Sequence, residues 1–201
     1  ATDKEETILV VEDNDDMRDY IQHILNEHFH VLLARDGEEG LELAITHIPD
    51  LIISDIMMPK RDGISMVKEL RANEKTNHIP IILLTALDKE SQVVEGYSLG
   101  VEDYITKPFS AKILSKRIEN ILLSRKKLWE QYSSSSDLNV YREKLIGQPW
   151  KKEFVDKVNN IVMEHLSDPE FGIDALADAL NMSTNQLFKK VKAIMNTTPY
   201  N

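Results

Sequence analysis

The sequence predicts an α/β protein with a doubly wound, five-stranded parallel sheet, followed by a smaller all-α domain. Between residues 7 and 128, short apolar runs rich in β-branched residues alternate with amphipathic stretches of helical period. Such strict alternation is typical of an open parallel sheet covered by helices on both faces. After residue 150 every apolar pattern has helical spacing, which indicates a second domain made of helices only.

The predicted strands are short and apolar, as strands buried on both faces should be. They cover residues 7–11, 31–34, 51–54, 81–84 and 101–105. Each is followed by a stretch with one apolar face, which predicts five helices. In chain order these faces run from Met17 to Leu25, Leu41 to Ile45, Ile64 to Leu70, Val93 to Tyr97 and Ile113 to Leu128. Asp88 is the predicted N-cap of the fourth helix.

A run of four serines, Ser133 to Ser136, predicts a flexible break after the last of these helices. We therefore expect the sheet domain over residues 1–128, a linker over 129–150 and the helical domain over 151–201. No repeat with a period of 20–50 residues is present, which excludes a solenoid.

The composition excludes several classes of protein. No apolar run approaches the roughly 18 residues of a membrane-spanning helix, and the first six residues are polar, unlike an export signal. The absence of cysteine excludes disulfides, thiolate metal sites and cysteine nucleophiles. We expect a cytoplasmic segment with no membrane contact of its own.

The net charge of −10 is unevenly distributed along the chain. Residues 1–125 contain 14 basic and 24 acidic residues, whereas residues 126–201 contain ten of each. The charge therefore argues against a polyanionic partner for the first domain only.

Polar residues follow four of the predicted strands directly. They are Glu12, Asp13, Asp55, Thr85 and Lys107. Because ligands of doubly wound sheets bind at the carboxyl ends of the strands, these side chains should converge on one pocket. Three close carboxylates repel one another unless a cation lies among them, and an all-oxygen ligand set favours Mg²⁺.

This combination of groups suits phosphoryl transfer to a carboxylate. A metal ion and an ammonium group can neutralise phosphoryl oxygens while an aspartate attacks in line. Asp55 is the best candidate nucleophile because it stands alone at the end of the central strand, whereas Glu12 and Asp13 are adjacent and better placed as metal ligands.

The pattern resembles the receiver domain of bacterial two-component response regulators, whose fold is flavodoxin-like. The resemblance covers residues 7 to about 125. It rests on Glu12-Asp13, on Asp55 to Pro59 with Asp62-Gly63, on Thr85-Ala86 and on Tyr104 to Phe109.

The resemblance implies that Asp55 accepts a phosphoryl group from a histidine kinase, acting in trans or within the same chain. It implies that Asp13, Asp55 and the backbone carbonyl of Met57 bind Mg²⁺, with Glu12 holding a metal-bound water. Thr85 and Lys107 would contact the phosphoryl oxygens, and Tyr104 would rotate inward on activation. The Lys107–Pro108 bond is expected to be cis. Such a receiver is not an enzyme on external substrates, but takes part in its own Mg²⁺-dependent phosphotransfer and dephosphorylation.

Two other classes share this type of sheet. Phosphatases with an aspartate nucleophile need a second aspartate two residues further on as general acid, and Met57 occupies that position. Flavin-binding proteins need a phosphate loop after the first strand, where this chain carries acidic residues that repel phosphate. Neither class fits the sequence.

The end of the chain has the pattern of a helix-turn-helix. Residues 173–180 and 183–195 have helical spacing around a tight turn, and Ser183 with Gln186 forms a predicted capping box. The segment from Phe154 to Tyr200 resembles the first half of an AraC/XylS-type DNA-binding domain. That family has two such units, so the sequence resembles a truncated module. The exposed residues predicted to face DNA are Thr184, Asn185, Lys189, Lys190 and Lys192.

Together these features predict a phosphorelay response regulator that controls DNA binding and transcription, either as a separate regulator or as the end of a hybrid sensor. Promoter DNA and a homodimer formed on phosphorylation are the expected partners. The alternative is a phosphorylation-dependent switch whose helical tail binds protein rather than DNA.

Overall fold

The computed structural model describes residues 6–86, 99–132, 149–166, 168 and 171–195. The predicted fourth helix around Val93 to Tyr97, its cap Asp88, the serine run and the last residues from 196 onward lie outside these ranges. The chain divides into two compact units, residues 1–123 and 124–201, which are described separately below. The predicted linker over 129–150 lies mostly outside the described residues and stays a prediction.

The first unit contains five parallel strands, as predicted. They are β1 Thr7–Val11, β2 His30–Ala34, β3 Leu51–Asp55, β4 Ile81–Ala86 and β5 Asp103–Lys107, in the sheet order β2-β1-β3-β4-β5. β5 begins two residues later than predicted. Val101 is buried, but Glu102 donates its N–H to Ile81 and accepts the Ile81 N–H with its carboxylate, so regular pairing starts only at Asp103.

Four described helices begin in this unit, and the last of them extends beyond residue 123. They are α1 Asp15–Leu25, α2 Gly37–His47, α3 Gly63–Ala72 and α4 Ala111–Tyr132. Asn14, Asp36 and Asp62 cap the first three, each accepting backbone N–H groups of the first turn with its side chain.

The helices cover both faces of the sheet, so β1, β3 and β4 are almost completely buried, whereas the edge strands β2 and β5 are partly buried. α2 and α3 pack on one face through residues such as Ala44, Met66 and Leu70. α1 and α4 pack on the other through Ile21, Leu25, Leu114 and Ile118. A fully buried side chain of this kind stabilises the fold by about 1.5–3 kcal/mol.

The strand order places the ends of β1 and β3 side by side. The chain runs from β1 outward to β2 and then returns to β3 on the other side of β1, which is the switch point of a doubly wound sheet. Because Val11 pairs with Ser54, the residues that follow, Glu12 and Asp55, come out next to each other.

The second unit contains three described helices, α5 Pro149–Glu164, α6 Ile173–Ala179 and α7 Thr184–Met195. Their common core includes Phe154, Leu176 and Leu187. The predicted capping box is present, because the Ser183 N–H donates to the Gln186 side chain at 3.0 Å and the Gln186 N–H donates to the Ser183 hydroxyl at 3.2 Å. Among the described residues of both units, no helix has the length and apolarity needed to cross a membrane.

Candidate metal centre

Three carboxylates meet at the carboxyl edge of the sheet. Glu12 and Asp13 follow β1, and Asp55 ends β3; one oxygen atom from each lies within 4.8 Å of the others. Glu12 is 1% exposed and Asp55 is 9% exposed, whereas Asp13 is open to solvent. Three carboxylates this close together, two of them buried, repel one another when ionised, so a nearby positive charge is needed to stabilise their charged forms.

Lys107, at the end of β5, supplies part of that charge. Its ammonium donates to Glu12 Oε2 and to Asp55 Oδ2, both at 2.7 Å. The second oxygen of Glu12 accepts the Asn14 N–H at 3.3 Å, and that of Asp55 accepts the Met57 N–H at 3.3 Å. Both buried carboxylates are thus held by hydrogen bonds on both oxygens.

The pKa values of these groups reflect burial and mutual pairing. Burial raises the pKa of Glu12 above 4.5; the bond from Lys107 lowers it and the charge of Asp55 raises it further. Burial alone lowers the pKa of Lys107, but its hydrogen bonds to Asp55 and Glu12 and its attraction to both carboxylates outweigh this and raise the pKa above 10.5. Lys107 therefore remains an ammonium at neutral pH.

Two buried side chains that support this site were missed by the sequence reasoning. Arg18 of α1 is 7% exposed and donates to the backbone carbonyl of Glu12 at 2.9 Å. Ser54 donates to the Asp55 carbonyl at 2.8 Å. A signal for Arg18 existed, because it lies three residues before Ile21 on the apolar stripe of α1, where a charged residue needs a buried partner.

The remaining predicted residues of this site belong to β4, β5 and the segment after β3. Thr85 of β4 is buried, and its hydroxyl donates to the Ala86 carbonyl at 3.0 Å. Tyr104 is half-buried against the core on the α2 and α3 face, with its hydroxyl oxygen shielded from solvent. The Met57 side chain is exposed, and the Lys107–Pro108 bond is cis as expected.

The donor set fits a hard divalent cation. The three converging groups are all carboxylates, and the described residues place no histidine among them. Mg²⁺ prefers such oxygen ligands and keeps several waters, which suits a site that is open to solvent at Asp13.

The residues predicted to face DNA are only partly exposed on α7. Asn185 and Lys192 are exposed, and Lys189 is half-buried. The prediction for Lys190 is wrong, because this residue is 1% exposed and its ammonium lies 4.7 Å from the centre of the Phe154 ring. The Thr184 hydroxyl donates to Asp174 Oδ1 at 2.8 Å, so it is already engaged within the unit.

Comparison with known proteins identifies the first unit. Residues 8–119 match the family described as response regulator receiver domain, which is more than half of the chain. The chain belongs to this family. Its sheet has the flavodoxin-like receiver fold that the resemblance implied. Receiver domains bind Mg²⁺ at an acidic site, which agrees with the cluster of Glu12, Asp13 and Asp55.

Relatives of this receiver include kinases and regulators. Histidine kinase P4 of Formosa agariphila is 34% identical over 98% of this chain and 14% of its own length. The probable transcriptional regulator ycf27 of Cyanidium caldarium is 32% identical over 96% of this chain and 75% of its own length. The chain thus spans about one seventh of the kinase and three quarters of the regulator.

Solved receiver structures are similar as well. The receiver domain of sensor histidine kinase PA1611 from Pseudomonas aeruginosa, solved with a magnesium ion coordinated in its active site cleft, is 31% identical with a TM-score of 0.55. The match covers 58% of this chain and 97% of the solved receiver domain. The receiver domain of a signal transduction histidine kinase from Syntrophus aciditrophicus is 34% identical with a TM-score of 0.56, over 59% of this chain and 91% of that one.

Proposed function

We propose that this receiver accepts a phosphoryl group on Asp55 from a histidine kinase, and that phosphorylation controls DNA binding by the helical unit. The observation that carries the proposal is the placement of Asp55, whose carboxylate is paired with Lys107 and lies close to the two acidic residues after β1. Glu12 is a poor nucleophile for an external donor because only 1% of it is exposed. Asp55 is more exposed than Glu12, at 9%, and hydrogen bonds from Lys107 and from the Met57 N–H fix the orientation of its carboxylate.

The residues of the site divide the chemistry among them. An Asp55 oxygen attacks phosphorus, the bond from phosphorus to the histidine nitrogen breaks, and the nitrogen keeps the electron pair. Mg²⁺ would be held by Asp13, Asp55 and the Met57 carbonyl, with Glu12 holding a metal-bound water, and would neutralise phosphoryl charge. Lys107 would exchange one of its carboxylate contacts for a phosphoryl oxygen.

Thr85 and Tyr104 are proposed to transmit the change. The Thr85 hydroxyl would leave the Ala86 carbonyl to bind a phosphoryl oxygen. Tyr104 lies on β5, the strand beside β4, where it pairs with Leu83. Its hydroxyl oxygen is already shielded from solvent. We propose that its inward position belongs to the activated arrangement.

A histidine kinase is the proposed phosphoryl donor because a protein named as a histidine kinase aligns with 98% of the chain. The proposed kinase acts in trans or within the same polypeptide. For the output, Asn185, Lys189 and Lys192 are the proposed DNA contacts of α7. Lys190 is omitted from the predicted set because it is buried, and Thr184 because its hydroxyl already donates to Asp174. The competing output is protein binding by the same helix, and salt dependence separates the two.

Phosphoryl uptake tests the chemistry. The full chain is incubated with Mg²⁺ and a small phosphodonor such as acetyl phosphate, and intact mass is measured. We expect one added phosphate, lost in Asp55→Asn and in the presence of a chelator, because both remove part of the acceptor site. Asp19→Asn, an exposed aspartate on α1, is the matched control and should be labelled normally. Equal labelling of Asp55→Asn would show that Asp55 is not the acceptor.

A further inference from the structure

The loop of residues 56–62, which joins β3 to α3, carries the proposed metal ligand at Met57. Its base is closed tightly. The Gly63 N–H donates to the Ile56 carbonyl at 2.9 Å, and a Cβ on Gly63 would lie 2.2 Å from the Asp55 carbonyl oxygen. The base of the loop therefore has a fixed path, while the position of its tip depends on other contacts.

Two contacts hold that tip to the beginning of α2. The Lys60 ammonium pairs with Asp36 Oδ2 at 2.5 Å, and the Gly37 N–H donates to the Arg61 carbonyl at 3.2 Å. A Cβ on Gly37 would lie 2.6 Å from the Arg61 oxygen, so the two backbones approach as closely as glycine allows.

Asp36 is a rigid anchor for this pair. Its side chain is 5% exposed and accepts the N–H groups of Glu38 and Glu39 at 3.0 Å. The hydrogen bond from Lys60, followed by the one from Glu39, lowers the pKa of Asp36, so it is ionised at neutral pH. The Lys60 side chain is 62% exposed, so it is the less constrained partner of the pair, although its backbone has a positive φ of 59°.

The contacts lie beside the acidic pocket. Asp36 follows β2 by two residues and Lys60 follows β3 by five, while β1 lies between these two strands and ends in Glu12 and Asp13. The ion pair therefore joins the segments on either side of the strand that supplies two of the three carboxylates.

We propose that Lys60 is a positioning residue for the metal site: by pairing with Asp36 it holds the loop of residues 56–62 where the Met57 carbonyl can bind Mg²⁺. This inference rests on the proposed function, because it assumes that the receiver binds Mg²⁺ through that carbonyl.

Removing the Lys60 charge and removing its positioning contact should change the Mg²⁺ affinity in opposite directions, which makes the proposal testable. Removal of a positive charge near three carboxylates strengthens Mg²⁺ binding by simple electrostatics. Loss of a positioning contact weakens it, because the loop must then be ordered when the metal binds. The sign of the change in Mg²⁺ affinity distinguishes the two effects.

The experiment measures the Mg²⁺ dissociation constant of the full chain by calorimetry and the rate of phosphate uptake from acetyl phosphate against Mg²⁺ concentration. Lys60→Asn removes the ammonium and tolerates the positive φ; Lys60→Gln is a second neutral variant. Lys60→Arg keeps the charge, and Lys116→Asn removes an exposed lysine of α4 as the matched control. We expect the neutral variants to raise the dissociation constant about two- to fivefold, the range for a partly exposed ion pair, with an unchanged rate at saturating Mg²⁺.

Lys60→Arg should restore the affinity and Lys116→Asn should leave it unchanged. An equal or tighter Mg²⁺ affinity in both neutral variants would overturn the inference, as would a failure of Lys60→Arg to restore binding. If the unmodified chain binds no Mg²⁺, the proposed function fails and the inference fails with it. Normal binding by the unmodified chain with no effect of Lys60 overturns the inference alone.

Discussion

Lys107 is the counterion of the two buried carboxylates, with equal distances of 2.7 Å to Glu12 and Asp55. The same ammonium is the proposed phosphoryl ligand. The residue thus stabilises the acidic site before phosphorylation and can compensate added negative charge afterwards. A neutral side chain at this position would leave two neighbouring carboxylates without a cation, which is costly for buried charges.

Glu12→Gln should separate stability from metal binding. The pKa of Glu12 is raised, so the stability linked to its protonated form is present below pH 4.5 and is lost as the pH rises through the folded-state pKa. The neutral amide avoids this loss. We expect the metal-free variant to have a higher melting temperature than the unmodified chain at neutral pH, with a smaller difference at pH 4.

The same variant should bind Mg²⁺ about tenfold more weakly, because it loses a charged group that orients the metal. Melting curves with and without Mg²⁺ measure both effects, and Glu42→Gln on the exposed side of α2 is the control. A lower melting temperature of the metal-free variant at neutral pH would contradict the account.

The sequence predicted correctly that Glu12, Asp13, Asp55 and Lys107 come together at one edge of the sheet, for a physical reason. Parallel strands end at a common edge, so the position of a polar residue directly after an apolar run is nearly fixed by the fold. The burial of Lys190 was harder to predict, because its ammonium contacts Phe154, which is far away in the sequence. Its spacing from Leu187 and Ile194 places it on the buried stripe of α7, a signal that its charge obscured.

At the scale of elements, the junction between β3 and α3 depends on Gly63. Gly63→Ala would place a methyl group 2.2 Å from the Asp55 carbonyl oxygen, and backbone atoms cannot move aside easily. We expect a loss of about 1–3 kcal/mol in the free energy of unfolding of the first unit, the usual range for overpacking. Urea unfolding followed by circular dichroism measures it.

Because Asp55 itself is adjacent, Gly63→Ala should also slow phosphoryl uptake. Gly172→Ala is the control, since a Cβ there meets nothing within 4 Å. Unchanged stability of Gly63→Ala would contradict the close approach of the two backbones.

Element boundaries were predicted less well than element types. The five strands and the capping box of α7 follow local rules and were confirmed. The start of β5 was not, because Glu102 uses a side-chain oxygen to bind the Ile81 N–H. The pairing of Asp36 with Lys60 was also missed, since nothing local connects residues 24 positions apart.

At the scale of the whole molecule, we propose that the receiver controls DNA binding by the helical unit through lysines of α7. The proposed contacts of that helix predict which lysines matter for DNA. Lys189→Glu with Lys192→Glu should abolish DNA binding by the phosphorylated full chain, because each lost phosphate contact weakens binding and the new acids repel DNA. Lys190→Met should bind DNA as the unmodified chain does, because that ammonium lies inside the unit.

Fluorescence anisotropy with a labelled duplex at several salt concentrations measures these affinities. A DNA affinity that falls steeply as the salt concentration rises supports DNA binding by the helical unit. Absent or salt-independent binding in the unmodified chain would favour the protein-binding alternative.

The central claim is that Asp55 becomes an acyl phosphate. Borohydride reduces such a phosphate to an alcohol, which converts the modified aspartate to homoserine, and peptide mass mapping locates the converted residue. After treatment with acetyl phosphate and Mg²⁺, we expect homoserine at position 55 and unmodified Asp13. Conversion at another residue, or none in protein that has demonstrably taken up phosphate, would contradict it.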